Sequence, residues 1–146
     1  MILGVHLRPL VQHQDERGSF TELLRADWSE YGGFAQASIT VNLPGVVRAW
    51  HLHQRQADGI VVIRGQAKVA LYDDRAGSPT HGEVGEFYLG DERLALLTVP
   101  KGVYHGYKTV SIVPALIVNF PDQLYDPAAP DEGRVPFDSP AIPYSW

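Results

Sequence analysis

Short runs rich in Val, Ile, Leu and Tyr alternate along the chain with turn residues, and the spacing predicts strands rather than helices. The expected strands cover residues 4–11, 18–24, 34–42, 46–53, 59–64, 66–72, 84–89, 94–99, 103–109 and 112–119. Gly65 sits between two of them like a tight hairpin turn. Asp73–Pro79 reads as a longer loop. Helical turns are expected only near Ala26–Tyr31 and around Asp91–Arg93. From Pro121 onward the chain is rich in Pro and Asp and is expected to drape irregularly over the strands. The 14 glycines and 11 prolines punctuate the sequence at short intervals, which points to an all-β sandwich or barrel. A length of 146 residues predicts a single domain over 1–146, long enough to bury a sizeable core.

Charge and composition remove several classes. A net charge of −5 argues against a nucleic-acid binder and against a basic membrane-surface protein. A small anionic ligand stays open if a few arginines converge. The chain has no cysteine, so disulfides, thiolate metal ligands and a cysteine nucleophile are excluded. That composition fits a cytoplasmic location. The first ten residues lack the pattern of a signal peptide, and no apolar stretch is long enough to span a bilayer.

The chemistry concentrates in residues 45–65. His51 and His53 are one residue apart on an expected strand, so both side chains point to one face. Gly45 and Gly65 bracket the pair, and Asp58 lies between it and Gly65. The turn Pro100–His105 then supplies a third imidazole, His105, on a later strand. Three imidazoles and a carboxylate suit a divalent ion such as Fe, Mn, Ni, Co or Zn. They also suit a base acting on a bound substrate. The plainer readings are groove histidines, a loop acid at Asp58 and a turn-satisfying histidine at His105.

His6, His13 and His81 lack such company and read as solvated, with His13 in a polar turn. Trp28, Trp50 and Trp146 read as packing residues. Arg17 and Arg48 are candidate phosphate ligands, because a guanidinium fork matches phosphate oxygens. Arg48 has the opposite strand parity to His51, so both can face one interior only across a bulge.

These segments together resemble the dTDP-4-dehydrorhamnose 3,5-epimerase family, a branch of the cupins. The resemblance runs through Asp15–Glu22 (DERGSFTE), Gln36–His53 (QASITVNLPGVVRAWHLH), Ser78–Glu83 (SPTHGE), Val99–Tyr107 (VPKGVYHGY) and the closing residues to Trp146. It implies a cupin double-stranded β-helix, or jelly-roll barrel, with an irregular C-terminal segment. It implies a nucleotide-linked sugar as ligand, with Arg17 and Arg48 at the diphosphate and Phe20 and Glu22 at the base. It implies His51 as the catalytic base that removes a proton alpha to a ketone, with no cofactor. A homodimer with exchanged N-terminal strands, around Met1–Leu10, is also implied.

The chain departs from the family pattern at the other chemical groups. Asp58 stands where the family has a lysine that stabilises the C4 oxygen, and the acid tyrosine falls near Val118. The aspartate that supports the family's histidine lies in a tail beyond the final tryptophan. Tyr72, Tyr104, Tyr107 and Tyr125 are available as substitute acids. The H-x-H also resembles the first metal motif of cupins and the two-histidine motif of sugar-nucleotide 3,4-ketoisomerases.

Three readings follow. The first is an epimerase or ketoisomerase of a nucleotide-linked 4-keto sugar, with His51, His53 and His105 as catalytic groups. The second is a metal-dependent cupin using His51, His53, Asp58 and His105. The third is a non-catalytic sugar-nucleotide binding protein.

Overall fold

A computed structural model of the protein describes residues 1–28 and 32–146. Twelve strands form among them: β1 His6–Pro9, β2 Gln12–Asp15, β3 Gly18–Thr21, β4 Ser38–Asn42, β5 Val47–Leu52, β6 Asp58–Arg64, β7 Gln66–Asp73, β8 Val84–Gly90, β9 Ala95–Val99, β10 Val103–Thr109, β11 Ala115–Pro121 and β12 Gly133–Arg134. Two five-stranded antiparallel sheets, ordered β1-β9-β6-β11-β4 and β12-β5-β10-β7-β8, face each other, and β2 and β3 make a separate hairpin. This is the jelly-roll architecture. No helix is present among the described residues.

Alternation explains the layering. Val69, Leu71, Val103 and Tyr107 from one sheet bury against Ile60, Val62, Leu97, Val99 and Ile117 from the other. Each fully buried Val, Leu or Ile stabilises the fold by about 1.5–3 kcal/mol relative to exposure. Trp50 is buried outside that core, packed with Tyr144 and Trp146 at ring-centroid distances of 5.7 and 5.0 Å. Trp28 lies beneath the Arg8 guanidinium, 4.6 Å from its ring centroid. The packing roles expected of the three tryptophans therefore hold.

Several sequence expectations need correction. Gly65 does not close a hairpin: β6 and β7 belong to different sheets, and the chain crosses between them there. Its φ of +67° and the Pro114 carbonyl oxygen, 2.8 Å from where a Cβ would stand, leave room only for glycine. His13 lies in strand β2 opposite Phe20 rather than in a turn, although it is exposed as expected. Polar composition hid that strand and also β12. Asp91–Arg93 is a turn closed by a Gly90–Arg93 bridge, not a helix. The turn expected over Ala26–Tyr31 extends outside the described residues. Its start is a single turn in which the Trp28 N–H donates to the Arg25 carbonyl. β1 pairs with β9 of its own chain, so the stretch around Met1–Leu10 is engaged at home on one edge.

A bulge on β5 aims the site. His51 pairs with His105, yet Arg48 pairs with Tyr107, so three steps on β5 oppose two on β10. The parity conflict between Arg48 and His51 is resolved there, as the sequence required. Gly106 sits against the bulge: a Cβ would overlap Ala49 Cβ and lie 2.8 Å from the Arg48 carbonyl oxygen.

Candidate active site

A cavity of about 440 Å³ opens between the sheets, lined by His51, His53, Asp58, His105, Tyr107, Tyr125 and Glu132 among others. Strands β5, β6 and β10 deliver His51, Asp58, His105 and Tyr107, and His53 follows directly after β5. The irregular segment after β11 closes one side and brings Asp131 and Glu132 over the histidines.

Each imidazole is held through Nδ1 by an oxygen that can only accept. His51 Nδ1 stands 2.7 Å from Glu132 Oε1. His53 Nδ1 meets the Asp131 carbonyl oxygen, and His105 Nδ1 the Val103 carbonyl oxygen at 3.3 Å. Nδ1 must therefore donate in all three rings. In the neutral state each ring then carries its lone pair on Nε2. His53 Nε2 lies 3.3 Å and His105 Nε2 3.5 Å from Asp58 Oδ2. Asp58 itself is only 4 % exposed, and its other oxygen accepts from Gln56 Nε2 at 2.9 Å. The His53 and His105 ring centroids are 5.3 Å apart, and those of His51 and His105 6.0 Å.

The electrostatics follow from burial and partners. Burial drives His105 down to about 4, against an opposing pull from Asp58, so it is neutral at pH 7. Burial raises Glu132, but hydrogen bonds from Arg134 and His51 outweigh it and hold the carboxyl below its ordinary range. Asp131 is also held low: burial acts upward, and the backbone N–H groups of Arg55, Gln54 and Gln56 overcome it. Burial pushes the Tyr107 phenol up, so it stays protonated and can donate.

The structure brings together His51, His53, Asp58 and His105, as the spacing suggested. Ligand atoms of His53, Asp58 and His105 all lie within 4.8 Å of one another, and His51 stands outside that group. Arg48 is exposed beside the cavity, its Nε donating to Asn42 Oδ1 at 3.0 Å. Arg17, Phe20 and Glu22 do not join the cavity in this chain. Arg17 pairs with Asp15 at 2.5 Å, Glu22 pairs with Arg25 at 2.7 Å, and Phe20 is 64 % exposed. Of the four tyrosines, Tyr107 and Tyr125 line the cavity, whereas Tyr72 and Tyr104 pack with Trp50. Sequence reasoning missed Glu132 and Asp131. The only signal was a pair of adjacent acids in a stretch with no periodicity.

The molecule is a jelly roll of the cupin type whose cavity holds a carboxylate-backed histidine. The chain belongs to the dTDP-4-dehydrorhamnose 3,5-epimerase family, whose sequence model matches residues 1–146. The spore coat polysaccharide biosynthesis protein SpsL of Bacillus subtilis is 42 % identical over 146 residues, covering 100 % of this chain and 97 % of that protein. The probable low-salt glycan biosynthesis epimerase Agl13 of Haloferax volcanii is 41 % identical over 147 residues, covering 99 % of this chain and 94 % of that one. Among solved structures, a dTDP sugar isomerase from Desulfovibrio desulfuricans superposes with a TM-score of 0.93 at 32 % identity, over 99 % of this chain and 92 % of its own. ChmJ, a 3'-monoepimerase from Streptomyces bikiniensis in complex with dTDP-quinovose, gives 0.88 at 26 % identity, over 99 % and 76 %.

Proposed function

We propose that this protein is a sugar-nucleotide epimerase that inverts a carbon next to a ketone on a nucleotide-linked 4-keto hexose. The observation that carries the reading is the His51–Glu132 pair at 2.7 Å inside the cavity, in a chain matched end to end by an epimerase family. Nδ1–H donation to Glu132 leaves the Nε2 lone pair of His51 free to take the proton alpha to the carbonyl. Glu132 then steadies the imidazolium that forms. A proton returned to the opposite face of the same carbon completes the inversion. Tyr107 and Tyr125 are the cavity phenols available for that donation.

The ligand is a nucleotide-linked sugar, with Arg48 at the diphosphate. Arg17, Phe20 and Glu22 stand apart from the cavity of their own chain. Their part in holding the nucleotide therefore calls for a homodimer in which the β2–β3 hairpin reaches a neighbouring cavity. Among the described residues no helix is long and apolar enough to cross a membrane. The absence of cysteine from the chain suits the cytoplasm.

Incubation with a dTDP-linked 4-keto-6-deoxy sugar in D2O tests the reading. Deuterium should enter at C3 or C5 and a new isomer should appear by NMR. His51→Asn should lower the exchange rate by about 10²–10⁴-fold. A folded wild-type protein that leaves a panel of such sugars unlabelled would end the proposal.

A further inference from the structure

We infer that Asn42 and Thr109 are positioning residues that hold the Arg48 guanidinium by Nε and leave both its Nη groups ready for a diphosphate. Arg48 meets that diphosphate under the function proposed above, on which this inference rests. Neither Asn42 nor Thr109 lines the cavity, so each would act through the arginine.

Arg48 is exposed, so packing does not fix its side chain. The bulge on β5 sets it opposite Tyr107, which lines the cavity. Its charge is felt there: burial raises the Tyr107 phenol, and Thr40 and Arg48 pull the other way. An unrestrained arginine gives up its rotamer freedom when it binds, and that weakens the contact. Here the Nε–H donates to Asn42 Oδ1 at 3.0 Å, and among the described residues neither Nη group has a protein partner. The remaining donors keep the planar fork that matches phosphate oxygens.

The anchor is itself fully specified. Asn42 is 0 % exposed and Thr109 1 %. Asn42 Nδ2 donates to the Val46 carbonyl at 2.9 Å and to Thr109 Oγ1 at 2.8 Å. Thr109 Oγ1 in turn donates to the Asn42 backbone carbonyl at 3.0 Å. A carbonyl only accepts and a guanidinium only donates, so the amide has one possible orientation, with its oxygen toward Arg48. A buried amide with every polar atom paired is rigid, and an unpaired one is costly.

Bracing the turn between β4 and β5 would require only the two Nδ2 bonds. The backbone already ties that turn down: the Gly45 N–H donates to the Thr109 carbonyl at 3.0 Å, and the Thr109 N–H to the Val46 carbonyl at 3.3 Å. Bracing leaves unexplained why the buried amide oxygen is committed to an exposed cation. Positioning explains it.

A double-mutant cycle on dTDP affinity, measured by calorimetry, tests the assignment. Arg48→Ala should weaken dTDP by about 10–100-fold. Asn42→Ser withdraws the acceptor from Nε and should weaken dTDP by about 3–10-fold. In the Arg48→Ala background Asn42→Ser should have no further effect, because a residue acting through Arg48 has nothing left to act on. With a dTDP-linked 4-keto sugar, Asn42→Ser should raise KM and leave kcat unchanged. If Asn42→Ser does not fold, Thr109→Val takes its place in the cycle. Equal weakening in both backgrounds would overturn the assignment, as would unchanged affinity in the single variant or no binding of dTDP by wild-type protein. An additive cycle in a protein that exchanges deuterium removes the positioning role and leaves the epimerase. A coupled cycle in a protein that exchanges none does the reverse.

Discussion

Among the described residues two carboxylates are buried, Asp73 and Asp58, and their surroundings differ in kind. Asp73, fully buried at the end of β7, is saturated. Arg75 grips it through Nε and Nη2 at 2.8 Å each, Ser78 Oγ donates at 2.7 Å, and Thr80 Oγ1 donates at 2.6 Å. The Arg75 backbone N–H adds a further bond at 3.1 Å. Every donor comes from the loop that follows, so the group ties that loop to the sheet. Asp58, at the start of β6, faces two imidazoles whose own donors are used elsewhere, and its one short bond comes from Gln56. A carboxylate enclosed by a guanidinium and hydroxyls is a structural lock. One left facing lone pairs in a cavity is a place for something to bind.

Breaking the lock should have the largest effect. Asp73→Ala strands Arg75 and removes the loop's common acceptor, and it should cost about 3–5 kcal/mol of stability by urea unfolding. Asp58→Asn should change stability by less than about 1 kcal/mol, or raise it, because functional groups are rarely placed for stability. Similar losses at both positions would erase the distinction.

Next in size is the clamp on the base. Glu132→Ala should reduce kcat by about 10–100-fold with little change in KM, since the carboxylate touches the imidazole rather than the sugar. An unchanged kcat, or a loss confined to KM, would remove Glu132 from the catalytic arrangement.

The smallest effect separates the two regions by pH. In the fold His105 sits near 4, below its ordinary 6.5, so the unfolded chain binds more protons between those values. Stability present above pH 6.5 is therefore lost as the pH falls toward 4. Asp73 is held well below its ordinary 3.8, with Arg75 the main cause, so its contribution persists until the pH falls through that value. The unfolding free energy should decline in two windows, each with a slope of at most about 1.4 kcal/mol per pH unit, followed by urea unfolding. His105→Gln should flatten only the upper window and Asp73→Asn only the lower.

The fold was largely legible because apolar alternation and glycine positions report burial directly. All ten expected strands have counterparts. The two that went unseen, Gln12–Asp15 and Gly133–Arg134, are exposed and carry no apolar face. The convergence of His51, His53, Asp58 and His105 was legible from parity and spacing. The crossing at Gly65 was not, because one turn residue does not say which sheet receives the next strand. Glu132 was hidden for a related reason. Its partner lies 81 positions away, and its segment is fixed by tertiary contact rather than by local pattern.

That segment carries one more consequence. Asp131 accepts the backbone N–H groups of Gln54, Arg55 and Gln56, Glu132 holds His51, and Gly133–Arg134 lie alongside β5. Four consecutive residues thus act as a clasp, and two of them also form β12, the short edge strand of the sheet they fasten to. Under the proposed function, reactivity is set by that strap at the rim and durability by the layers beneath, so selection can retune one while the other stays as it was.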